Sequence, residues 1–166
     1  MDTTKFNRQA WDNIATSRRE WFTAATADQI DAAGRGDFSI RLTATKPVPE
    51  DWIGDVKGKR ILALAAGGGH QGPILAAAGA EVTVVDLSEG QLAIDRKLAS
   101  QHSLAIETIQ ADMADLSQVA DSAFDMVINP CSVNFVQHVA PVWHEASRVI
   151  RPVGILITGL IQPVNF

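Results

Sequence analysis

The chain has 166 residues, enough for one domain, and its 46% hydrophobic and 20% charged residues are typical of a globular protein and exclude wholesale disorder. Because 19 acidic residues outnumber 14 basic ones, the net charge of −5 disfavours a nucleic-acid partner held by a basic face. A single cysteine excludes a disulfide framework, and no apolar run approaches the roughly 20 residues that span a bilayer, so we expect a cytoplasmic protein with no membrane partner.

The first 57 residues are predicted to form an α-helical cover. Phe6, Ala10 and Ile14 recur at helical spacing, and a second short helix is expected around Ile30, after residues that favour a helix start. An extended arm is expected after the second helix, since this segment carries Lys46–Pro49, whose two prolines forbid a regular helix. We therefore divide the chain into a cover, residues 1–57, and a core domain, residues 58–166.

Residues 58–166 alternate between strand-like and helix-like segments. The predicted strands are Arg60–Ala66, Glu81–Val85, Ile106–Gln110, Phe124–Asn129 and Ile155–Leu160. The predicted helices are Pro73–Ala78, residues 89–101 and residues 139–150. Strand–helix–strand units with right-handed crossovers predict a doubly wound, Rossmann-like parallel sheet of the α/β class, with strand order 3-2-1-4-5.

The loop after the first strand is rich in glycine, as Gly67-Gly68-Gly69 is followed by His70-Gln71-Gly72. Ligands of such sheets bind beyond the carboxyl ends of the strands, and glycine lets a ligand approach the main-chain N–H groups closely. Gly67, Gly69 and Gly72 also satisfy the dinucleotide fingerprint, so a nicotinamide-dependent oxidoreductase is an alternative. Against it, the chain has no tyrosine and hence no Tyr-x-x-x-Lys pair.

Two acids follow the second and third strands. Asp86 stands 19 residues after Gly67, where a carboxylate can accept both hydroxyls of a ribose. Asp112 ends the third strand, where an acid with an adjacent N–H can recognise the amino edge of adenine while Met113 packs on the ring. The glycine loop and the two acids therefore predict a nucleoside-containing ligand.

These motifs resemble those of the class I S-adenosylmethionine-dependent methyltransferases. The resemblance is carried by Arg60–Gly69, Val84–Ser88, Ala111–Met113, Phe124–Val127 and Arg148–Gly154, and the flanks resemble a bacterial subgroup whose first motif reads Leu-Ala-x-Gly-Gly-Gly. It implies that S-adenosylmethionine is the cofactor, with the glycine loop at its methionine part and the two acids at its ribose and adenine. The implied cofactor-binding residues are Ala65, Gly67, Gly69, Asp86, Leu87, Asp112, Met113 and Asn129.

The resemblance further implies methyl transfer by in-line displacement to a small-molecule acceptor, which is expected to approach at Asn129–Ser132. Such a reaction needs mainly correct positioning in a dry cleft, so no catalytic residue is identified. His138 and Asp125 are the local candidates for a base, and neither is favoured. No metal site is expected, because the histidines lack acidic or cysteine partners at ligand spacing.

The sequence also departs from the family pattern. Ala63 and Ala65 stand where an acid and a glycine are usual, and Val153 replaces the middle residue of Pro-Gly-Gly. The family normally continues after the fifth strand with a helix and a β-hairpin, so this sequence, which stops at Phe166, is expected to be either a fragment or a shortened member. These departures keep a second alternative open, a shortened non-catalytic binding or assembly module. Without the hairpin, the fifth strand becomes an apolar edge, so we expect a homodimer formed through it.

Three further residues have two interpretations each. Cys131 is expected to be a small packed residue rather than a nucleophile. His70 either borders the cofactor or faces solvent. Trp11 either packs in the core or lines the cofactor cleft from the cover.

Overall fold

The computed structural model describes residues 2–17 and 23–161 and contains a five-stranded, all-parallel sheet. The strands are β1 (Arg60–Leu64), β2 (Glu81–Asp86), β3 (Ile106–Gln110), β4 (Phe124–Asn129) and β5 (Ile150–Thr158). Their order, β3-β2-β1-β4-β5, confirms the doubly wound α/β fold predicted from the sequence.

Six α-helices accompany the sheet within the described residues. They are α1 (Thr3–Thr16), α2 (Ala27–Gly34), α3 (Glu50–Ile53), α4 (Gln71–Ala77), α5 (Glu89–His102) and α6 (Val139–Val149), and a short 3₁₀ helix covers Val133–Phe135. None of these helices has both the length and the apolar character required to cross a membrane. The helix α3 was not predicted; it begins directly after Pro49, whose fixed φ suits the start of a helix.

The central strand β1 is buried on both faces. Ile61 and Ala63 point into an apolar cluster shared with α2 and α4, whereas Leu62 and Leu64 point into a second cluster shared with α6. All four side chains are fully buried, which explains why β1 reads as a continuous apolar run rather than an alternating one. The cover contributes to the first cluster through Ile30, so the two sequence segments share one core.

The strand β5 begins five residues earlier than predicted, immediately after α6. Phe124 pairs with Ile150 and Met126 pairs with Ile155, so the segment between Ile150 and Ile155 bulges out of the ladder. This bulge accommodates Pro152, which cannot donate a hydrogen bond to the ladder. Val153 within it is 98% exposed and has φ of 62°, a left-handed conformation that a β-branched residue rarely adopts.

The outer edge of β5 has no neighbouring strand among the described residues. Ile155 and Leu156, which point to opposite faces of this strand, are both exposed. Leu160, just beyond the strand, is 55% exposed. The apolar edge expected from the sequence is therefore present on the surface of the chain.

Candidate functional site

A cavity of about 780 Å³ lies at the carboxyl ends of β1 to β4. Its floor is formed by the loops that follow these strands, and its roof by α1 and by the arm segment Arg41–Ala44. Six of the eight predicted cofactor-binding residues line it: Ala65, Gly67, Asp86, Leu87, Asp112 and Met113. The lining also brings together residues as distant in the sequence as Thr4 and Asp112, at the place where ligands of doubly wound sheets bind.

The glycine loop turns sharply away from the end of β1. Ala65 has φ of 48° and Gly68 has φ of 108°, so the chain passes through the left-handed region twice within four residues. A Cβ atom on Gly67 would lie 2.9 Å from Gln91 Cβ and 3.0 Å from Asp86 Oδ2. Glycine is therefore required at position 67 by the close approach of α5 and of the Asp86 carboxylate.

The main-chain N–H groups of the loop point into the protein and not into the cavity. The N–H of Gly67 donates to Asp86 Oδ2 at 2.9 Å, and those of Gly68 and Gly69 donate to Asp95 Oδ2 at 2.9 and 3.1 Å. From the sequence, these N–H groups were expected to contact the ligand. The structure instead uses them to fix the loop to two carboxylates, because a buried N–H group needs an acceptor within the protein.

Gly69 does not line the cavity. A Cβ atom there would lie 2.8 Å from Ile94 and from Leu98, so this glycine allows the loop to pack against α5. The predicted contact between Gly69 and the cofactor has no support in this arrangement, and its conformational role is local.

Asp86 closes β2 with both carboxylate oxygens held by the backbone. Oδ2 accepts from Gly67 and Oδ1 accepts from the N–H of Ser88, at 2.9 Å in each case. Burial raises the pKa of Asp86 and the charge of Asp12 adds to this, while the backbone hydrogen bonds oppose it. Asp86 lines the cavity, and a carboxylate oxygen that already accepts one hydrogen bond retains a further lone pair, so the group can accept two more hydrogen bonds from a diol.

Asp112 and Met113 lie at the end of β3, as predicted. Asp112 Oδ1 accepts from the N–H of Ala114 at 2.9 Å, and Oδ2 accepts from the Thr4 hydroxyl of α1 at 3.1 Å. Met113 is almost fully buried and contributes an apolar surface beside this acid. The pair offers an acceptor and a flat apolar contact, which is the combination that a purine ring requires.

Asn129 is placed differently from the prediction. Its side chain is fully buried; Nδ2 donates to the carbonyl of Leu64 and to Ser132, and Oδ1 accepts from the Thr158 hydroxyl. It therefore ties together β1, β5 and the loop after β4, and it does not line the cavity. Its role is to set the position of Pro130–Ser132, which do line the cavity.

The helix α1 closes one side of the cavity. Asp12 Oδ1 accepts from the Ser88 hydroxyl at 2.5 Å and from the N–H of Gly90 at 3.1 Å. Trp11 meets Phe135 edge to face, with ring centroids 5.5 Å apart, and both rings line the cavity. Of the two interpretations of Trp11, the structure supports the cleft lining. Since α1 has no fully buried residue, polar bonds provide much of its attachment.

Two further residues line the cavity: Arg41, which was not predicted, and His70, for which the structure supports the interpretation that it borders the ligand space. The Arg41 guanidinium makes no hydrogen bond or ion pair with any residue in 2–17 or 23–161. Burial lowers the pKa of His70, and the positive charge of Arg41 lowers it further. His70 Nδ1 is buried without a hydrogen-bond partner in the described part of the chain. Arg41 thus places a positive charge in a cavity whose lining also includes Asp86 and Asp112.

Arg41 gave no sequence signal because it lies in the arm, outside every motif. Its position is determined by the fold of the arm, where the carbonyl of Arg41 accepts a hydrogen bond from the Gln71 side chain at 2.8 Å.

The two base candidates lie in different places. Asp125 lies at the amino end of β4, whereas the cavity lies at the carboxyl ends of the strands, and its carboxylate pairs with Arg151 at 2.6 Å. It is therefore excluded as a base, whereas His138 lines the cavity. Cys131 Sγ donates to the carbonyl of Leu42 at 3.2 Å, and burial raises the pKa of its thiol, as expected for a packed cysteine. The described residues contain no cluster of three potential metal ligands.

Comparison with known proteins identifies the family. Residues 62–158 match the model of the methyltransferase domain family. The chain belongs to this family, as a class I S-adenosylmethionine-dependent methyltransferase. The nicotinamide alternative is thereby set aside.

Two relatives and one solved structure illustrate the similarity. The chain is 47% identical over 160 residues to the uncharacterized methyltransferase YbaJ of Bacillus subtilis, covering 96% of this chain and 63% of that protein. It is 35% identical over 105 residues to a demethylmenaquinone methyltransferase of Clavibacter sepedonicus, covering 63% of this chain and 42% of that one. An arsenic(III) S-adenosylmethionine methyltransferase from Chlamydomonas reinhardtii superposes with a TM-score of 0.59 at 26% identity, covering 79% of this chain and 48% of that chain.

The chain therefore spans less than two thirds of the length of these relatives.

The residues present fit S-adenosylmethionine, the cofactor of this family. Gly67, Asp86 and Asp112 all line the cavity at the ends of β1, β2 and β3, and glycine at position 67 allows the Asp86 carboxylate to approach the loop closely. Arg41 supplies the positive charge that a carboxylate requires. The two carboxylate acceptors and the guanidinium donor thus match a ligand with a ribose, a purine and an amino-acid carboxylate.

Proposed function

We propose that the chain binds S-adenosylmethionine across the ends of β1, β2 and β3 and transfers its methyl group to a small molecule. The observation that carries this proposal is the Asp86 carboxylate, which lines the cavity and is fixed by the N–H groups of Gly67 in the glycine loop and of Ser88. In this arrangement Asp86 accepts from the ribose hydroxyls, and Asp112 with Met113 receives the adenine.

The methionine part of the cofactor would then extend toward Arg41. The acids line the part of the cavity at β2 and β3, while Arg41 and His70 come from the arm and from the loop after β1. Because burial and Arg41 both lower the pKa of His70, this histidine is neutral near pH 7 and Arg41 carries the charge. A guanidinium pairs well with a carboxylate in two parallel hydrogen bonds.

The remaining space is proposed to hold the acceptor. It is bounded by the loop after β4, by the 3₁₀ helix and by the arm, and its lining is largely apolar: Leu42, Pro130, Cys131, Phe135, Val136 and Pro141. These walls favour an uncharged or aromatic small molecule, and the net charge of −5 argues against a nucleic acid. The single cysteine supports a cytoplasmic site of action.

The protein contributes positioning and the exclusion of water. The cofactor supplies an activated methyl group on a sulfonium, so the chain needs to hold an acceptor atom in line with it. Asn129 fixes the loop Pro130–Ser132 from beneath, and α1 with Trp11 covers the cavity. Where the acceptor must lose a proton, His138 and His70 are the histidine side chains of the cavity lining that can accept one.

Calorimetric titration with S-adenosylhomocysteine tests the proposal. We expect Asp86→Ala to weaken binding by about 1.5–3 kcal/mol, because it removes the charged acceptor of the ribose. Asp55→Ala is the matched control, since Asp55 also accepts from an N–H two residues ahead but lies outside the cavity. Unchanged affinity in Asp86→Ala would remove Asp86 from the site, and a wild-type chain that binds no S-adenosylhomocysteine would overturn the proposal.

The non-catalytic alternative predicts cofactor binding without turnover, and the exposed apolar edge of β5 is the observation that favours it. We also propose that this edge pairs with the same edge of a second copy. Support comes from the unpaired outer side of β5 and from the exposed side chains of Ile155 and Leu156.

A further inference from the structure

Asp95 is unusual among the acids of this chain because it is completely buried. Among the described residues it is the only Asp, Glu, Lys or Arg in the buried class. It lies on α5 three residues after Leu92, which is also fully buried, so it occupies a position in the apolar stripe of the helix. A carboxylate at such a position costs stability unless its hydrogen bonds compensate for the lost water.

The hydrogen bonds of Asp95 go to the glycine loop. Oδ2 accepts from the N–H of Gly68 at 2.9 Å and from that of Gly69 at 3.1 Å. Oδ1 is buried without a partner among the described residues. One oxygen thus satisfies two consecutive N–H groups in the loop that forms the cavity floor.

The loop is shaped against α5 around this carboxylate. A Cβ atom on Gly68 would lie 2.6 Å from Gln91 Oε1, and one on Gly72 would lie 3.2 Å from Asp95 Oδ1. The adjacent N–H, that of Gly67, donates to Asp86. Asp86 and Asp95 therefore hold three successive N–H groups, and only Asp86 reaches the cavity.

We propose that Asp95 is a positioning residue for cofactor binding, which holds the glycine loop in the shape that presents Gly67 and Asp86 to the cofactor. This inference rests on the proposed function, since it assigns a role in binding S-adenosylmethionine. Asp95 touches no ligand in this arrangement and acts through the backbone of Gly68 and Gly69.

The pKa of Asp95 is determined by the same burial and the same hydrogen bonds to the loop. Burial raises its pKa to about 7, and the nearby Asp86 adds to this, while the N–H groups of Gly68 and Gly69 oppose it. Asp86 on β2 is the charged group that acts on the Asp95 carboxyl. The glycine loop and α4 approach Asp95 through Gly68, Gly69 and Gly72, which have no titratable side chain. His70, next along the loop, also titrates and faces the cavity.

Two variants with different hydrogen-bonding capacity test the inference. Asp95→Asn keeps an acceptor oxygen and removes the charge, whereas Asp95→Ala removes the acceptor. Titration with S-adenosylhomocysteine at pH 8 should show affinity falling in the order wild type, Asp95→Asn, Asp95→Ala, with a loss of about 10-fold or more for alanine. Between pH 6 and 8, the wild-type affinity should rise more steeply than that of Asp95→Asn, because the ionised carboxylate holds both N–H groups more strongly.

A measurement on the ligand-free protein tests the contact between Asp95 and the loop without relying on the proposed function, and it also shows whether the variant is folded. Amide hydrogen exchange at Gly68 and Gly69 should accelerate about 10-fold in Asp95→Asn, with Gly67 unchanged because Asp86 still holds it. Asp31→Asn, an exposed acid on α2, is the control for loss of charge.

The outcomes separate the two ideas. A wild-type chain that does not bind S-adenosylhomocysteine refutes the proposed function, whatever Asp95 does to the loop. A folded Asp95→Asn chain with wild-type affinity and an unchanged pH profile refutes the positioning role.

Discussion

The attachment of α1 offers a sharp test of how the cavity is closed. Asp12→Ala removes the one carboxylate oxygen that accepts from both the Ser88 hydroxyl and the Gly90 N–H, at 2.5 and 3.1 Å. Ser88 simultaneously caps α5, since its oxygen accepts from the N–H of Gln91 at 3.1 Å. The substitution therefore disconnects α1 from the amino end of α5 and leaves the cap itself in place.

The expected magnitude follows from these contacts. Hydrogen bonds to a charged group contribute about 1.5–3 kcal/mol, and Asp12 is partly exposed, so we expect α1 to lose about 2 kcal/mol of docking free energy. That corresponds to an increase of about 30-fold in the undocked fraction. The other attachments, such as Asn7 to the carbonyl of Phe135 at 2.7 Å and the Trp11–Phe135 contact, remain and keep the helix mostly in place.

Hydrogen exchange measured by mass spectrometry can detect this increase in the undocked fraction of α1. In Asp12→Ala, peptides that cover α1 should exchange faster, while peptides from β1 and β4 should keep their protection. Affinity for S-adenosylhomocysteine should fall in parallel, because α1 covers the cavity. Asn13→Ala is the matched control, since the exposed Asn13 side chain accepts a hydrogen bond from Gln9, which is also in α1. Wild-type exchange of α1 in a folded Asp12→Ala chain would refute the reasoning, and so would equal acceleration in the core.

Three further outcomes are expected. Arg41→Met should weaken binding of S-adenosylhomocysteine by about 10-fold and leave 5′-methylthioadenosine, which lacks the carboxylate, unaffected; equal losses for both ligands in calorimetry would contradict a carboxylate contact. The free energy of unfolding should fall as pH rises from about 4 to about 7, because the pKa of Asp95 is about 7 in the native state and 3.8 in the unfolded state, so the native state binds the proton more tightly. Urea titrations at several pH values should show a smaller decline in Asp95→Asn, and an equal decline would count against the raised pKa. Sedimentation equilibrium at micromolar concentration should show a dimer that Ile155→Lys dissociates, and a monomeric wild type would rule out pairing through β5.

The sheet was predictable because its signals are local. The strands β1 and β2 are short apolar runs closed by a glycine loop and by Asp86, and each needs only its own residues to be recognised. The order of the strands follows from general rules for doubly wound sheets. Where β5 departed from the prediction, a bulge around Pro152 was responsible, and a bulge depends on how the neighbouring strand is paired.

The site was predictable only in part, for the same physical reason. Asp86 and Asp112 end strands, so their place at the cavity follows from the fold. Asp95, by contrast, reads from the sequence as one more charged helix residue, and its partners Gly68 and Gly69 lie 27 and 26 residues earlier. Asn129 differs in another way: its place at the end of β4 suggested a ligand contact, whereas its side-chain hydrogen bonds to Leu64, Ser132 and Thr158 position the loop after β4.

The cavity combines a fixed part with a more weakly attached part, and this bears on how specificity is divided. On the cofactor side, Asp86 is held by two backbone N–H groups and Asp112 by one, so these carboxylates are positioned before a ligand arrives. On the opposite side, α1 has no fully buried residue and reaches the core through polar bonds. Substitutions in α1 can therefore change the cavity roof without disturbing the glycine loop. We expect acceptor selectivity to reside in the cover, where a change of side chain costs little stability.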